Sequence, residues 1–377
     1  MWSWWRDMAE YKTLVKKIPI SPDKKTKQKN YLKNGKLPIV DQGQGLIGGY
    51  TDDTGMTVKC DLPVIVFGDH TRAVKYVTFP FGAGADGIKV LQPQEGTSPL
   101  YLYYGTQYIV AKMPNRGYAR HYQFVEKEDL PIPSIPEQER IVARIEELFS
   151  QLDDGVKTLK KTKAQLAVYR QAVLQEAFAD CKERISLESV TQHITDGDHM
   201  PPPKADSGIP FIMISNVEGN LICWENTAHV GRDYYDNLDS KRKPQNGDVL
   251  YTVTGSYGIP VLVDYNKEFC FQRHIALLRP KDIIAQRYLY YSLMAPEAYA
   301  QATKGATGTA QKTVGLGVLR RIEIPFTEDH KKQLQIVEVI ESRLSVCDSI
   351  EQTVDASLRQ AEAMRQSILK DAFEGRL

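Results

Sequence analysis

Long hydrophobic runs are missing from this chain of 377 residues: no stretch approaches 18 consecutive apolar residues, so no membrane-spanning helix is expected. Residues 1–20 carry Trp2, Trp4 and Trp5 but interleave them with Arg6, Asp7, Glu10 and Lys12, which leaves no apolar core of signal-peptide length. Export and membrane partners are therefore not expected, and a cytoplasmic location is. Cysteine is scarce as well. The five cysteines, at 60, 181, 223, 270 and 347, form no C-x-x-C and no metal-ligand spacing, so reduced thiols and no metal site are the expectation. Charge of one sign is not in excess, with 48 basic and 47 acidic side chains, and the total argues neither for nor against a polyanionic partner. Catalytic signatures are missing too: there is no G-x-x-x-x-G-K-[ST] phosphate loop, no G-x-S-x-G elbow, no H-E-x-x-H helix and no Asn-Pro-Pro-aromatic or Asp-Pro-Pro-aromatic run. The glycine-rich pieces Gln42-Gly-Gln-Gly45 and Phe81-Gly-Ala-Gly84 lack the strand and helix that a dinucleotide fingerprint requires. No catalytic residue and no cofactor of its own are expected in this chain. The one cluster mixing carboxylates and imidazole, Asp196-Gly197-Asp198-His199, reads as a turn, because Asp-Gly is a turn former and prolines follow.

What the chain does have is a duplication. Residues 138–178 recur at 333–373 with a constant offset of 195, and 14 of the 41 pairs are identical, where composition alone gives roughly two or three. Both copies return an apolar residue every three or four positions, which predicts long helices. The pairing positions expected are Ile141, Ile145, Leu148, Leu152, Leu159 and Leu166 in the first copy, and Ile336, Ile340, Leu344, Ile350, Val354 and Ile368 in the second. Ser134-Ile-Pro-Glu137 and Thr327 supply the expected N-terminal caps. A 41-residue helix is roughly 60 Å long, and neither stripe is complete without a partner. Each helix is the other's simplest partner, in a coiled coil with a spacing near 3.5. Asp153-Asp154-Gly155 predicts a weak point or bend in the first helix.

The segments between the helices are rich in Gly, Pro, Tyr and short β-branched runs, and they too are related. Ile88, Leu91, Pro93 and Tyr103-Tyr104 align with Ile275, Leu278, Pro280 and Tyr290-Tyr291 at an offset of 187, and Gly117-Tyr-Ala-Arg-His121 parallels Gly308-Thr-Ala-Gln-Lys312. The expected order is module 1–134, helix 135–180, module 181–326, helix 327–377. Each module is long enough for its own core. Residues 1–136 carry 18 Lys/Arg against 13 Asp/Glu, much of the surplus between Lys12 and Lys36, whereas 181–326 hold 16 of each.

These features together resemble the specificity subunit of Type I restriction-modification systems. The resemblance rests on Leu130-Pro-Ile-Pro-Ser-Ile-Pro-Glu-Gln-Glu-Arg-Ile-Val142, Gly308-Thr-Ala-Gln-Lys312 and the ending Ile368-Leu-Lys-Asp-Ala-Phe-Glu-Gly-Arg-Leu377. In the second module Asp196-Gly-Asp-His199, Ile209-Pro-Phe-Ile212, Gly247-Asp-Val-Leu250 and Gly255-Ser-Tyr-Gly258 carry it; in the first, Pro38-Ile-Val-Asp-Gln-Gly43, Phe67-Gly-Asp-His-Thr-Arg72 and Gly84-Ala-Asp-Gly87 do. Residues 1–36 depart from the usual entry of such a domain. The resemblance implies an α+β chain: two mixed α/β target recognition domains separated by two long antiparallel helices, with a pseudo-twofold internal repeat. It further implies a bipartite, asymmetric double-stranded DNA target and two docked copies of an adenine methyltransferase subunit that brings S-adenosylmethionine. A restriction subunit using ATP and Mg can join such a complex. A coiled-coil adaptor joining two protein-binding modules is the alternative; it predicts no salt-sensitive DNA affinity.

Base readout draws on Arg or Lys for guanine, Asn or Gln for adenine, and hydroxyls as adaptable partners. The candidates in the first module are Gln42 and Gln44, then His70, Thr71 and Arg72, then Arg116, Tyr118, Arg120 and His121. In the second they are Thr254, Ser256 and Tyr257, then Gln272, Arg273 and His274, then Lys304, Thr307, Thr309, Gln311 and Lys312. Lys241-Arg242-Lys243 and Arg320-Arg321 are expected to hold phosphates, which position without specifying.

Overall fold

A computed structural model describes residues 7–84, 87–114, 117, 119–199 and 202–377. The chain divides into two compact units, residues 1–160 with 355–377 and residues 161–354. The division cuts through both long helices, so each unit holds one module and a share of each helix.

The first unit is built on a four-stranded antiparallel sheet in the order Val15–Ile18, Ile88–Pro93, Val64–Gly68, Val74–Val77. The second unit repeats it as Thr191–Asp196, Ile275–Pro280, Val249–Thr252, Pro260–Leu262. The inner strands Val64–Gly68 and Val249–Thr252 are buried along their whole length, which is why both read as continuous apolar runs rather than alternating ones. A smaller sheet accompanies each. Leu37–Val40 pairs antiparallel with Gly49–Thr51 and parallel with Gly82–Gly84, just as Ile209–Ile212 pairs antiparallel with Ala228–Val230 and parallel with Cys270–Phe271. The duplication legible in the helices thus extends through both modules.

The long helices run Ile135–Ala177 and His330–Phe373. The first begins directly after Ser134, as expected. The second is capped two residues later than expected: Asp329, not Thr327, accepts from the Lys331 and Lys332 N–H groups through its carboxylate. The first helix passes through Gly155 without interruption. Within each unit the two helices pack antiparallel. In the first, Arg365 pairs with Asp153; in the second, Arg170 pairs with Asp348 at 2.7 Å and Glu351 at 2.9 Å, and Arg343 with Glu176 at 2.7 Å. Arg170–Asp348 is the repeat-equivalent of Arg365–Asp153, each partner displaced by 195.

The buried positions are Gln138, Ile141, Val142, Ile145, Phe149, Leu166, Val173 and Leu174 on the first helix and Gln333, Val337, Ile340, Cys347, Val354, Ala361, Leu369, Ala372 and Phe373 on the second. Ile141, Ile145, Leu166, Ile340 and Val354 lie where the pairing stripe was expected, while Leu148, Leu152, Leu159, Ile336, Leu344 and Ile368 are half-buried beside it. Ile350 is corrected: it is 41% exposed, and Cys347, one turn earlier, takes the seam. The repeat gives the reason. Ile350 corresponds to Gly155, so that position never faced a core in either copy.

Two buried glutamines fix how each helix enters its unit. Gln138 accepts from the Ser98 N–H at 2.8 Å and donates to the Gly96 and Pro133 carbonyls. Gln333 accepts from the Ala285 N–H at 2.8 Å and donates to the Ile283 and Thr327 carbonyls. Both are fully buried and both satisfy one side-chain acceptor and two donor bonds against loop backbone that would otherwise be unpaired.

Candidate nucleic-acid interface

In the first unit three loops meet around Asp69, which is nearly buried. Its carboxylate accepts from the Tyr122 N–H at 2.8 Å and faces Lys89 at 3.5 Å; its own N–H donates to the Gly87 carbonyl, and its carbonyl accepts from the His121 N–H at 2.9 Å. A fourth loop joins through Gln42, whose carbonyl accepts from the Thr71 hydroxyl at 2.5 Å. That loop turns on Asp41, which accepts from the Gly43 N–H at 2.9 Å and faces the buried Lys75 at 3.4 Å. Desolvation lowers the Lys75 pKa more than Asp41 restores it. Residues 41–48, 69–72, 87 and 119–121 are thereby brought to one place, although up to 80 positions separate them in sequence.

The candidates in this cluster fare differently. Gln44, Thr71 and Arg120 are exposed, and Gln42 and His70 half-buried; His70 Nδ1 donates to the Ala119 carbonyl at 3.2 Å. His121 is corrected, because it is fully buried, with Nδ1 donating to the Asp69 carbonyl, and cannot meet a base edge. Arg72 is half-buried and gives Nη1 to the Met113 carbonyl at 3.2 Å, so it closes the C-terminal end of helix Pro99–Lys112, where a cation suits the unpaired carbonyls. Arg116 and Tyr118 lie outside the described residues.

The second unit gathers the equivalent loops. Gly255 N–H donates to the Lys312 carbonyl, Val314 N–H to the Val253 carbonyl and Val253 N–H to the His274 carbonyl, so residues 253–257, 272–274 and 306–314 lie side by side. Gly255 has φ +75°, a backbone conformation that favours glycine, where its N–H meets the Lys312 carbonyl. Ser256, Arg273, Lys304, Thr307, Thr309, Gln311 and Lys312 are exposed, and Gln272 and His274 half-buried. Burial, and then the neighbouring Arg273, lower the His274 pKa. Tyr257 stacks on Tyr299 at 5.7 Å and gives its hydroxyl to Thr303 at 3.2 Å, which stiffens the rim. Thr254 is corrected: it is only 8% exposed and its hydroxyl meets Thr313 at 3.4 Å, joining two loops instead of facing outward.

Of the expected phosphate holders, Lys241 and Arg321 are exposed. Arg242 sits 3.9 Å from Asp196 and 3.8 Å from Asp198, Lys243 donates to the Asp236 carbonyl, and Arg320 donates to the Ile194 carbonyl. The Asp196–His199 segment, expected as a turn, is corrected: it runs on from the strand Thr191–Asp196 into a bridge between Asp198 and Gln272, with His199 Nε2 at 2.9 Å from Asp196. Among the described residues no group of three or more His, Cys, Asp or Glu side chains is arranged to hold a metal ion.

Sequence reasoning missed Asp69, which holds the first cluster, and a surface on the helices. In the first unit Tyr103, Tyr104, Glu146, Phe149, Ser150, Asp153 and Arg365 line a groove of about 390 Å³. Burial, and then Glu146, push the Tyr104 phenol up to about 12. The second unit places Tyr290, Tyr291, Glu341, Leu344, Ser345, Asp348 and Arg170 at the repeat-equivalent positions, with the Tyr291 hydroxyl donating to Glu341 at 3.3 Å. Six of these seven positions are identical between the units. The loop clusters are not: Gly117–His121 and Gly308–Lys312 share only Gly and Ala. The signal was in the sequence, as residue identity at repeat-equivalent positions, the exposed Ser150 and Ser345 among them.

Comparison with known proteins agrees with the duplication. The model of the Type I restriction modification DNA specificity domain matches twice, over residues 15–166 and 199–360. The EcoBI specificity subunit of a Type I restriction enzyme from Escherichia coli is 23% identical over 66% of this chain, and the match spans 58% of that protein's length. The StySPI specificity subunit from Salmonella potsdam is 23% identical over 94% of this chain and 85% of its own length. Among solved structures, a chain from a study of complex assembly and conformational transition of the type I R-M system superposes with a TM-score of 0.72 at 17% identity, covering 98% of each chain. The HsdS subunit from Thermoanaerobacter tengcongensis gives 0.51 at 18% identity, over 98% of this chain and 97% of that one. With two copies of the domain covering most of its length, the chain belongs to the Type I restriction modification DNA specificity domain family.

Proposed function

We propose that this chain is the non-catalytic specificity subunit of a Type I restriction-modification complex, in which each unit reads one half of a bipartite, asymmetric double-stranded DNA target. The observation that carries this reading is the division of labour within the repeat. Where the two units are alike, on the helix seam and its flanking groove, they meet the same demand; where they differ, at the loop clusters, each meets its own. Two unlike half-sites and two copies of one partner fit that pattern, and a duplicated adaptor for two identical ligands does not. Arg120, Gln42 and Gln44 in the first unit, and Arg273, Gln272, Gln311 and Lys312 in the second, have the donor chemistry for guanine and adenine edges. The partner is an adenine methyltransferase subunit, two copies per chain, which supplies S-adenosylmethionine and the chemistry. A restriction subunit driven by ATP and Mg can join the same assembly, and the setting is the cytoplasm.

Methylome sequencing of a host carrying this chain with its methyltransferase gives the target, and footprinting on that target tests the reading. Protection of two separate sequence blocks, with affinity falling as salt rises, is expected. Protection that follows no sequence, or affinity indifferent to salt, would leave the protein-binding adaptor instead.

A further inference from the structure

The second unit contains a cleft of about 200 Å³ that the recognition loops only partly account for. Its polar lining is Asp198, His199, Lys204, His229, Gln272 and Arg273, and its apolar lining is Pro202, Phe211, Met213, Ala228 and Val230. Asp198 lies against Gln272 because residue 197 is glycine; any side chain there would collide with the Phe271 carbonyl. Asp198 forms a parallel bridge with Gln272. Asp198 is also the fixed acceptor on the rim, held by the Tyr234 hydroxyl at 2.7 Å and by Arg242 at 3.8 Å.

We propose that this cleft takes one amine-bearing nucleobase, tipped out of the stack in the half-site that the second unit reads; the inference rests on the DNA-recognition reading above. A bare phosphate would meet the Asp198 carboxylate as well as Lys204 and Arg273, and would lose its hydration on the apolar lining. A cofactor-sized ligand does not fit, since pockets for such molecules begin near 300 Å³. A single planar ring fits both the volume and the chemistry: its faces rest on Phe211, Met213 and Val230, and its exocyclic amine donates to Asp198. The exposed Lys204 and Arg273 then sit beside the entering strand, where its phosphates pass. A base edge within a stacked duplex cannot enter a concave site, so the ring must leave the stack, at a cost of a few kcal/mol. Sequences that unstack easily at that step would be favoured beyond their direct contacts.

The test uses the full-length chain and duplexes carrying 2-aminopurine, itself an amine-bearing base that fluoresces when unstacked, at each position of the second half-site in turn. One position should brighten several-fold on binding. Ala228→Phe, which fills the cleft from the strand Ala228–Val230, should abolish that brightening while the duplex still binds at low salt. Met213→Trp fills the cleft from another side and repeats the test should Ala228→Phe not fold. A wild-type footprint over both half-sites with no position whose emission depends on the open cleft overturns this proposal alone. Failure of the wild-type chain to protect any defined sequence overturns it together with the recognition reading.

Discussion

At the scale of single residues the second unit depends on an ion pair that the sequence does not advertise. Arg279 donates Nε and Nη2 to the two Asp248 oxygens, both at 2.8 Å, and Asp248 is almost wholly buried. Arg279→Met would leave a buried carboxylate with the Gln245 N–H as its donor and the neutral His193 nearby, and loss of one partner of such a pair costs about 3–5 kcal/mol. A urea unfolding midpoint within error of wild type would refute that. Asp264→Asn is the control: it removes the exposed Arg287–Asp264 pair at 3.2 Å and leaves Arg287 on Glu341 at 2.7 Å, and surface pairs contribute at most about 1 kcal/mol. His274 offers a second check. Its pKa lies below the usual 6.5, so the folded state prefers it neutral, and the stability this provides is complete above about pH 6.5 and declines as acid protonates the unfolded chain first. His193, lowered by burial and Arg279, adds in the same direction. In Arg273→Gln, the His274 pKa followed by NMR should rise yet stay below 6.5, because burial is the larger cause. A value restored fully to 6.5 would show that the charge alone sets it. Neither pair of contacts was readable beforehand: the candidates at 272–274 were chosen for donor chemistry, which sequence reports, whereas His274's desolvation depends on strands that meet it only after folding.

At the scale of elements the duplicated helices were the most legible part of the chain, and the reason is physical. A long helix is specified by local periodicity, and two copies of the same period at one offset leave little freedom in register. What went astray was the choice between adjacent apolar residues. Leu148 and Phe149 both suit a stripe, and only packing decides that Phe149 enters the core while Leu148 sits beside it. The loops were harder, because Asp69 organises them through backbone contacts with Gly87 and His121 that no local pattern announces. The glutamine pair yields a prediction at this scale. Gln138→Leu and Gln333→Leu each remove one accepted and two donated hydrogen bonds from buried loop backbone, and each unsatisfied buried group costs about 1–3 kcal/mol. Because the networks are congruent, the two substitutions should lower stability by similar amounts, by several kcal/mol apiece, and each should weaken protection of the helix start in its own unit during hydrogen exchange. A large loss for one and none for the other would mean that the shared geometry is incidental. Ile145→Asp and Ile340→Asp, repeat equivalents and both fully buried in the seam, should behave as a second matched pair, separating the helices of one unit each.

At the scale of the whole molecule, the repeat separates what folding needs from what binding needs. Identity at a buried position such as Ile145/Ile340 is explained by the core. Identity at Ser150/Ser345, Gln165/Gln360 and Gln171/Gln366 is not, since all six are exposed, and polar surface positions tolerate many residues at little cost in stability. On the reading proposed above, a surface that two diverged halves still share answers to a partner present twice. If that is the methyltransferase, obstructing one groove must remove one copy and spare the other. Ser150→Trp places a large ring on the groove of the first unit, and Ser345→Trp does the same in the second; both sites are exposed, so folding should survive. Light scattering of the assembled complex should lose the mass of one methyltransferase in either single variant and of two in the double variant. Methylation should fall at one half-site per single variant, while footprints of the isolated chain remain at both, because the loop clusters are untouched. Loss of both copies from one substitution would mean that the partners bind as a preformed pair, and an unchanged mass would place docking elsewhere on the surface.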